Sequence, residues 1–413
     1  MIMLSHQQRI FFEFLRFCIG TVQEVPSSLK GADWRVLYAM ARKQCLVGVL
    51  FDGIKRLPAD VGMDKGLLFQ WMAQNQTLRK ANARLDKAAV EVAEWFGRKG
   101  FRTCVLKGQG NALLYPPGME RTPGDIDLWV DGGDRKVVSF VRSLSPDEKV
   151  CYHHIGFPEY NGVEVEVHFR PSFLFCFRHN RRLQGYYERV MDEQFAHRVK
   201  LGGQGEVAVP KAEFNLIFQL THIFTHLMNE GIGLRQLLDY FFLLKNTDFI
   251  GNTDGDGFLL NTDFTDNTDK FSGSAEKHSG DSGDSYSSIL GSDSSELADG
   301  VDRRLLQDEL RRLGLWEFAG AVMYIMKEVF GLEDNRLIVP PDVKRGRLVL
   351  KEVLEAGNFG QYDKRNRFGH SALGHNLQRL YRDMRLVRYF PEEALSEPFF
   401  RIWHFFWRKR IVR

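Results

Sequence analysis

Between residues 101 and 169 the spacing of apolar residues changes from helical to strand-like, and this change most constrains the fold. Before it, "WRVLYAMARKQCLVGVLFDGIKRL" and "QTLRKANARLDKAAVEVAEWFGRKG" repeat apolar residues three and four positions apart. Within it, "RTCVLKG", "DIDLWV" and "VEVEVHF" are short strand candidates, and "DRKVVSFVRSL" has helical spacing. Helical spacing returns after residue 212. The pattern predicts an α+β protein, with a small mixed sheet and helices flanked by N-terminal and C-terminal helical modules.

The same changes divide the chain into regions. We predict an N-terminal helical region at 1–95, an α+β core at 96–210, and a C-terminal helical module formed by 211–245 and 301–413. Residues 246–300 interrupt that module with Asn, Thr, Asp, Ser and Gly, and hold too few apolar residues to offset the entropy lost on ordering. We therefore predict a disordered acidic insertion there.

Part of this insertion, "NTDGDGFLLNTD", has the spacing of a calcium-binding loop. The matching positions are Asn252, Asp254, Asp256, Gly257 and Asp263. The last position of such a loop normally holds a bidentate glutamate, for which Asp263 is a weak substitute, and no convincing exit helix follows. A solvated low-complexity loop is the favoured interpretation.

Composition is that of a globular protein, since 44% of the 413 residues are hydrophobic and 26% are charged. No apolar run reaches the roughly 18 residues that a membrane span needs. The N-terminal stretch carries Glu13 and Arg16 and no cleavage pattern, so we expect an amphipathic helix and a cytoplasmic protein without a transmembrane segment. The five cysteines form no CxxC pair, which favours buried free thiols over a disulfide framework or a cysteine zinc site.

Charge is unevenly distributed along the chain. Residues 246–300 carry twelve acidic side chains against Lys270 and Lys277, a net charge of −10, so the rest of the +3 chain carries +13. A body this basic can attract phosphates on a nucleotide, a nucleic acid or a lipid, although a solvated basic surface is an equal alternative. No zinc-finger or RNP-like motif supports nucleic-acid binding, which stays open but unsupported.

Two aspartates stand one residue apart in "TPGDIDLWV". Side chains two positions apart on a strand share a face, so Asp125 and Asp127 are forced together. Their repulsion weakens the strand unless a cation lies between them, and Mg²⁺ is typically held by one or two carboxylates together with substrate phosphates. The alternative is an exposed strand edge with two solvated aspartates.

The neighbouring sequence favours the metal interpretation. Upstream, a strand ends at Lys107 and Gly108 before a short helical segment, where a lysine and backbone N–H groups can meet a triphosphate. Downstream, Glu164, Glu166 and His168 share one face of an alternating strand that follows a hairpin-like turn. A third carboxylate from that strand would allow two metal ions to be held, and would also be placed to act as a general base.

The motifs "LKG", "YPPGMERTPGDIDLWV" and "VEVEVHFRP" resemble the nucleotidyltransferase superfamily that includes DNA polymerase beta. More narrowly, they are similar to a bacterial group of uncharacterised nucleotidyltransferases, and the resemblance continues through "THIFTHLMNEGIGLRQLLDYFFLL". It implies an NTP substrate, two Mg²⁺ ions, and transfer of a nucleoside monophosphate with release of pyrophosphate. The acceptor, whether a protein, a sugar, a small molecule or an RNA end, is not selected by any residue.

The resemblance also implies roles for individual residues. Asp125, Asp127 and Glu166 match the metal-binding and catalytic acids, with Glu164 as a rival for the third position. Gly124 belongs to the same motif. Two features depart from the wider superfamily: Gln109 follows Gly108 where Gly or Ser is usual, and the third acid is Glu rather than Asp. Nucleotide contacts are expected from Lys107, Gly108, Arg121, Gly124 and Arg235.

Several side chains have competing interpretations. Arg121 either clamps a phosphate or forms an ordinary ion pair. Arg235 is expected to pair with Asp239 four residues later, and also to face the cleft between the two modules. His222 and His226 have zinc-like spacing but lack the glutamate of a zinc protease, so packing near the site is favoured.

The C-terminal stretch "FFRIWHFFWRKRIVR" mixes aromatic and basic residues. Such a helix can lie on an anionic membrane or stack on nucleic acid. The spacing of Phe399, Ile402, Trp403 and Phe406 favours packing against the chain's own domain.

Two functions therefore compete. The first is an Mg²⁺-dependent nucleotidyltransferase. The alternative is a catalytically silent protein of the same fold that acts by protein binding, as an antitoxin-like or regulatory relative would. The complete set of acids favours the enzyme.

Overall fold

The computed structural model describes residues 4–58, 61–250, 300–365, 368 and 372–412. The predicted calcium loop and most of the predicted acidic insertion lie outside these residues. Four helices precede the sheet: α1 (His6–Cys18), α2 (Trp34–Lys43), α3 (Val47–Ile54) and α4 (Lys65–Arg98). The central region contains β1 (Thr103–Val105), α5 (Gln109–Ala112), β2 (Ile126–Val130), α6 (Gly133–Leu144), β3 (His154–Tyr160), β4 (Val163–His168), α7 (Phe177–Ala196), β5 (Arg198–Leu201) and β6 (Gly205–Ala208).

The remaining described elements are mainly helical. They are α8 (Ala212–Asn229), α9 (Leu234–Asn246), β7 (Phe249–Ile250), β8 (Val301–Asp302), α10 (Arg303–Arg312), α11 (Trp316–Glu328), α12 (Val343–Ala356), α13 (Ala372–Leu386) and α14 (Pro391–Ile411). The mixed α+β character predicted from the sequence is confirmed, whereas the division into domains stays a prediction. No described helix is both long and apolar enough to cross a membrane.

Short polar side chains start many of the helices. The residue before the first turn accepts a hydrogen bond from a backbone N–H that has no partner within the helix. This capping is provided by Ser5, Asp33, Asp64, Asp302 and Asp342.

The central sheet has the order β1-β2-β4-β3. β2 and β4 are parallel, with Asp127 aligned to Glu166, whereas β1 pairs with β2 and β3 with β4 in antiparallel fashion. The predicted hairpin turn is confirmed: Asn161 and Gly162 join β3 to β4 with φ angles of 52° and 75°, as a two-residue type I′ turn requires. The register brings the acidic motifs of two separate strands side by side.

Apolar residues form two clusters. The smaller one lies between the sheet and helices α4 and α6, and includes Phe96, Leu128 and Val137. The larger one contains residues from the helices that precede the sheet in the sequence and from the helices that follow it. Gln44 ties these helices together, because its Nε2 donates to the Val353 carbonyl at 3.0 Å and its Oε1 accepts from Leu234 N at 2.8 Å. The early and late helices therefore share one core.

Some elements differ from the sequence-based predictions. Helix α7 was not predicted, because its sequence is rich in arginine and has few evenly spaced apolar residues. The long helical pattern after residue 300 is divided into α10 and α11 at Gly314, whose φ is 71°. All five cysteines are free, but only Cys18 and Cys104 are fully buried.

The prediction that Phe399, Ile402, Trp403 and Phe406 pack against the domain is wrong in its choice of face. Phe399, Ile402 and Phe406 are 69%, 60% and 60% exposed, and Trp403 is 38% exposed. The buried face of α14 instead centres on Phe400, which stacks on Phe173 with ring centroids 5.2 Å apart. Helical spacing fits either face, and contacts with distant residues decide between them.

A glycine pair on two helices provides a test of packing. A Cβ at Gly48 in α3 would lie 2.1 Å from the Glu120 carbonyl oxygen, whereas one at Gly97 in α4 would meet nothing within 4 Å. Gly48→Ala is expected to lower the free energy of unfolding by about 1–3 kcal/mol through overpacking. Gly97→Ala is expected to raise it by about 0.5–1 kcal/mol, since alanine is the better helix former. Urea unfolding midpoints that moved in the same direction for both variants would contradict this expectation.

Two buried acids lie on the neighbouring helices α13 and α14. Asp383 is 4% exposed and Glu397 is 1% exposed. Burial, and then the charge of Glu397, raise the pKa of Asp383 to about 8, while Arg401 and Arg379 oppose the shift. An unfolded aspartate loses its proton near pH ~3.9. Unfolding between these two pH values therefore releases a proton, so stability falls as pH rises from about 4 to about 8.

The variant Asp383→Asn is expected to remove this pH dependence. At pH 8 its melting temperature should exceed that of the parent chain by a few degrees, on the order of 2–4 °C for each kcal/mol regained. Below pH 4 the two proteins should converge, because the aspartate is then protonated in both states. Thermal melts across that range, with exposed Asp308→Asn as the control, would refute the assignment if the curves ran parallel.

Candidate active site

The polar groups of the site are positioned by the central strands. Asp125 directly precedes β2, and Asp127 lies within it. The Leu106 N–H donates to the Asp127 carbonyl at 3.0 Å, which aligns the end of β1 with the start of β2. Gly108, with a φ of 62°, then turns the chain into α5. A Cβ at this position would lie 3.4 Å from the Asp125 carbonyl oxygen.

One pocket collects seven of the eight predicted site residues. Its wall includes Lys107, Gly108, Arg121, Gly124, Asp125, Asp127 and Arg235. The eighth, Glu166, lies beside Asp127 on the adjacent strand. The structure therefore brings together residues from three separate stretches of sequence, while their roles stay predictions.

Asp127 is the most constrained acid of the pocket. It is 1% exposed, and its Oδ1 lies 2.9 Å from Lys107 Nζ and 3.0 Å from His168 Nε2. Burial favours the protonated acid, yet Lys107 and the hydrogen bond from His168 hold the pKa of Asp127 below its ordinary value. Asp127 Oδ2 is also buried and has no hydrogen-bond partner among the described residues. One oxygen of a carboxylate is therefore available to a cation.

His168 joins the two strands chemically. It is fully buried, and its Nε2 also lies 3.4 Å from Glu166 Oε2. Burial opposes the charged imidazole, but the hydrogen bonds to Asp127 and Glu166 prevail and raise the pKa of His168 to about 9. Burial likewise opposes the charge of Glu166, yet His168 and His154 lower the pKa of this carboxyl to about 2.

Glu166 and its rival Glu164 are placed differently. Glu164 is exposed and precedes the part of β4 that pairs with β2. Glu166 is aligned with Asp127, and its side chain is 32% exposed. The geometry therefore favours Glu166 as the third carboxylate.

Two further histidines lie beside Glu166 and His168, and the sequence analysis missed both. His154 begins β3, and His153 lies in the loop before it. His154 Nδ1 lies 3.4 Å from Glu166 Oε2 and 3.1 Å from His153 Nε2. Burial lowers the pKa of His154 to about 4 and that of His153 well below its usual value. Both rings are therefore neutral at pH 7. The consecutive pair in "CYHHIGF" was the available signal, but its strand was not predicted.

Lys107 has two partners. Besides Asp127, its ammonium group lies 2.9 Å from His222 Nε2, which must accept the hydrogen bond. Burial and then Lys107 lower the pKa of His222 well below its usual value. His226 pairs instead with Glu230 and packs against Phe359. His222 thus lies in the pocket wall, whereas His226 packs against Phe359, another residue of that wall.

Arg121 forms a buried ion pair rather than an open phosphate clamp. Its Nε and Nη2 donate to the two Asp239 oxygens at 2.8 and 2.7 Å, and Tyr115 donates to the same carboxylate at 2.7 Å. The expected pairing of Arg235 with Asp239 is wrong, because Asp239 is committed to Arg121. The helical four-residue spacing gave the wrong partner, since a distant residue supplied a better geometry.

Arg235 remains without a carboxylate partner within the described part of the chain. It is 7% exposed, and its Nη1 donates to the carbonyls of Thr122 and Pro123 at 3.1 and 3.3 Å. Its guanidinium lies 5.7 Å from the centre of the Phe359 ring. Burial and then repulsion from Arg121 lower the pKa of Arg235. Arg235 lies in the pocket wall, and its predicted role in binding a nucleotide stays a prediction.

Gln109, which stands where the wider superfamily has Gly or Ser, does not obstruct the pocket. The Gln109 side chain is buried and donates to Asp86 of α4, away from the pocket wall. The wall instead includes three polar residues that the sequence analysis missed, Asn111, Gln219 and Gln236. It also includes His222 and Asp239, which the sequence analysis had named in other roles.

The carboxylates of the pocket are the kind of ligand that a hard divalent cation binds. Asp125 and the free Oδ2 of Asp127 offer oxygen ligands within one pocket, with Glu166 alongside. Lys107 and Arg235 place two cationic groups in the same wall. The combination suits a metal-bound phosphate chain.

Residues 30–254 match the family described as uncharacterised nucleotidyltransferase, and the chain belongs to this family. Among solved structures, an antigenic nucleotidyltransferase-like protein from Paracoccidioides brasiliensis is 16% identical, with 39% of this chain and 75% of that chain covered at a TM-score of 0.26. No curated protein matches the sequence.

Proposed function

We propose that this protein transfers a nucleoside monophosphate from an NTP to an acceptor, with Mg²⁺ and with release of pyrophosphate. The observation that carries this proposal is the buried Oδ2 of Asp127, which has no hydrogen-bond partner among the residues that the structure describes, in a pocket that also presents Lys107 and Arg235. Membership of the nucleotidyltransferase family and the resemblance of the acid motifs to polymerase beta-like enzymes support it. The catalytically silent alternative is not favoured.

In this reaction an acceptor oxygen attacks the α-phosphorus, a new P–O bond forms, and the bond to pyrophosphate breaks. Asp125, Asp127 and Glu166 would hold Mg²⁺, which would neutralise phosphate charge when bound there. Lys107, Gly108 and the motif glycine Gly124 line the pocket where the triphosphate would lie.

Glu166 is aligned with Asp127 on the adjacent strand, and its side chain is 32% exposed. We therefore assign it to holding the cation beside Asp127. The acceptor itself, whether a protein, sugar, small molecule or RNA end, is not specified by the pocket.

Calorimetric titration of each of the four NTPs with Mg²⁺ tests the proposal. One NTP should bind to the parent chain, and binding should be lost in Asp125→Asn/Asp127→Asn. The matched control is Asp131→Asn/Asp134→Asn, which changes two aspartates beyond the other end of β2 that pair with Arg102 and Arg170.

The control variant should bind the NTP like the parent chain. If the parent chain binds none of the four NTPs, the proposed nucleotidyltransferase function is wrong. The alternative of a catalytically silent protein that acts by protein binding is then favoured. Binding to one NTP would justify a search for the acceptor by pyrophosphate release.

A further inference from the structure

The donor atoms around His168 are not those of a purely carboxylate site. Nδ1 of His168 lies 3.3 Å from the Arg170 carbonyl oxygen, which fixes a proton on that nitrogen. Nε2 is thereby the atom that faces Asp127 and Glu166. Histidines that bind metals characteristically donate their second ring N–H to a carbonyl or carboxylate in this way.

The separations between these donor atoms suit one shared ion. Nε2 lies 3.0 Å from Asp127 Oδ1 and 3.4 Å from Glu166 Oε2, and one donor atom from each of the three residues falls within 4.8 Å of the others. Metal–ligand bonds of about 2.1 Å place neighbouring donors roughly 3.0 Å apart in an octahedron and roughly 3.4 Å apart in a tetrahedron. Coordination through these atoms would replace the proton on His168 Nε2 and displace Lys107 Nζ, which lies 2.9 Å from Asp127 Oδ1.

We propose that Asp127, Glu166 and His168 form a mixed nitrogen–oxygen site for a divalent first-row transition metal of the Zn²⁺, Co²⁺ or Mn²⁺ class. Imidazole together with carboxylate favours such ions, whereas Mg²⁺ prefers oxygen ligands and retains its waters. A second imidazole stands close by, since His154 Nδ1 lies 3.4 Å from the same Glu166 oxygen. The inference rests on the proposed function in so far as both place a cation beside Asp127.

Metal binding without nucleotide provides the test. After removal of metals with a chelator, Zn²⁺ and Mg²⁺ are titrated separately by calorimetry, and Co²⁺ is followed by its visible ligand-field absorption. We expect one Zn²⁺ per chain, bound at least about tenfold more tightly than Mg²⁺. His168→Ala and Glu166→Gln should each weaken Zn²⁺ binding by at least about tenfold.

Glu166→Gln keeps the test interpretable if burial makes His168→Ala fold poorly, because the Glu166 side chain is 32% exposed. The control is Cys176→Ser, because Cys176, His179 and Glu393 form another group of donor atoms. This variant should leave Zn²⁺ affinity and the Co²⁺ spectrum unchanged. Circular dichroism confirms that each variant is folded.

Two results would overturn the inference. One is no Zn²⁺ binding by the parent chain, as expected if His168 is a protonated imidazole that only bridges two carboxylates. The other is Zn²⁺ binding that is lost in Cys176→Ser and kept in Glu166→Gln. NTP binding with Mg²⁺ in a protein that ignores Zn²⁺ would refute this inference alone, and Zn²⁺ binding without NTP binding would refute the proposed function alone.

Discussion

Asp239→Ala is expected to lower the free energy of unfolding by about 3–5 kcal/mol, because it leaves a buried arginine without its counter-ion. Arg121 is 5% exposed and makes both of its strong contacts to this carboxylate. Tyr115 loses the same acceptor. Urea unfolding followed by circular dichroism measures the change.

An exposed pair of the same residue types provides the control. Arg102 donates through Nε and Nη2 to Asp131, but these side chains are 50% and 28% exposed. Asp131→Ala should therefore cost no more than about 1 kcal/mol. Similar losses for both variants would show that water reaches Arg121 and that the pair is not truly buried. The double variant Arg121→Met/Asp239→Leu should recover part of the loss, since it removes both charges.

This ion pair marks a limit of sequence reasoning at the site. The position of the paired aspartates and of the lysine before the glycine turn was predictable, because each motif is compact. The strand period placed Glu164 and Glu166 on the same face, and only the register with Asp127 separates them. Pairing between Arg121 and Asp239 joins positions 118 residues apart, and no local rule reveals it. The four-residue helical spacing supplied Arg235 as a plausible but incorrect partner.

Contacts across the chain explain the other omissions. Phe359 reaches the pocket wall from the segment after α12, more than 200 residues from the acidic motif. It adopts a φ of 50°, a backbone conformation that a bulky residue rarely takes. The exposed face of α14 was misassigned for a related reason: periodicity shows that a helix has two faces, and packing against Phe173 decides which one is buried.

The unpaired Arg235 leads to the largest functional effect that we expect outside the acids. Among the described residues, the buried Arg235 guanidinium has carbonyl oxygens and the Phe359 ring as neighbours but no carboxylate partner, so its charge can meet a ligand. It lines the pocket beside Gly124 and Asp125. Charge-assisted hydrogen bonds contribute about 1.5–3 kcal/mol, so Arg235→Gln should weaken binding of the NTP with Mg²⁺ by roughly 10- to 150-fold. Arg235→Lys should fall between, because it keeps the charge but loses the planar fork.

Arg56 supplies a control for this experiment, because it also donates to two backbone carbonyls, those of Phe17 and Cys18, and lies over an aromatic ring, but is not part of the pocket wall. Unlike Arg235, it is 41% exposed and also pairs with Asp52 at 3.7 Å. Arg56→Gln should leave the NTP dissociation constant unchanged, even if it lowers stability. Calorimetric titration of the three variants separates a contact with phosphate from a purely structural arginine. Equal NTP affinities in Arg235→Gln and the parent chain would mean that Arg235 only holds the Thr122–Pro123 turn, and that the triphosphate charge is met by Lys107 and the cation instead.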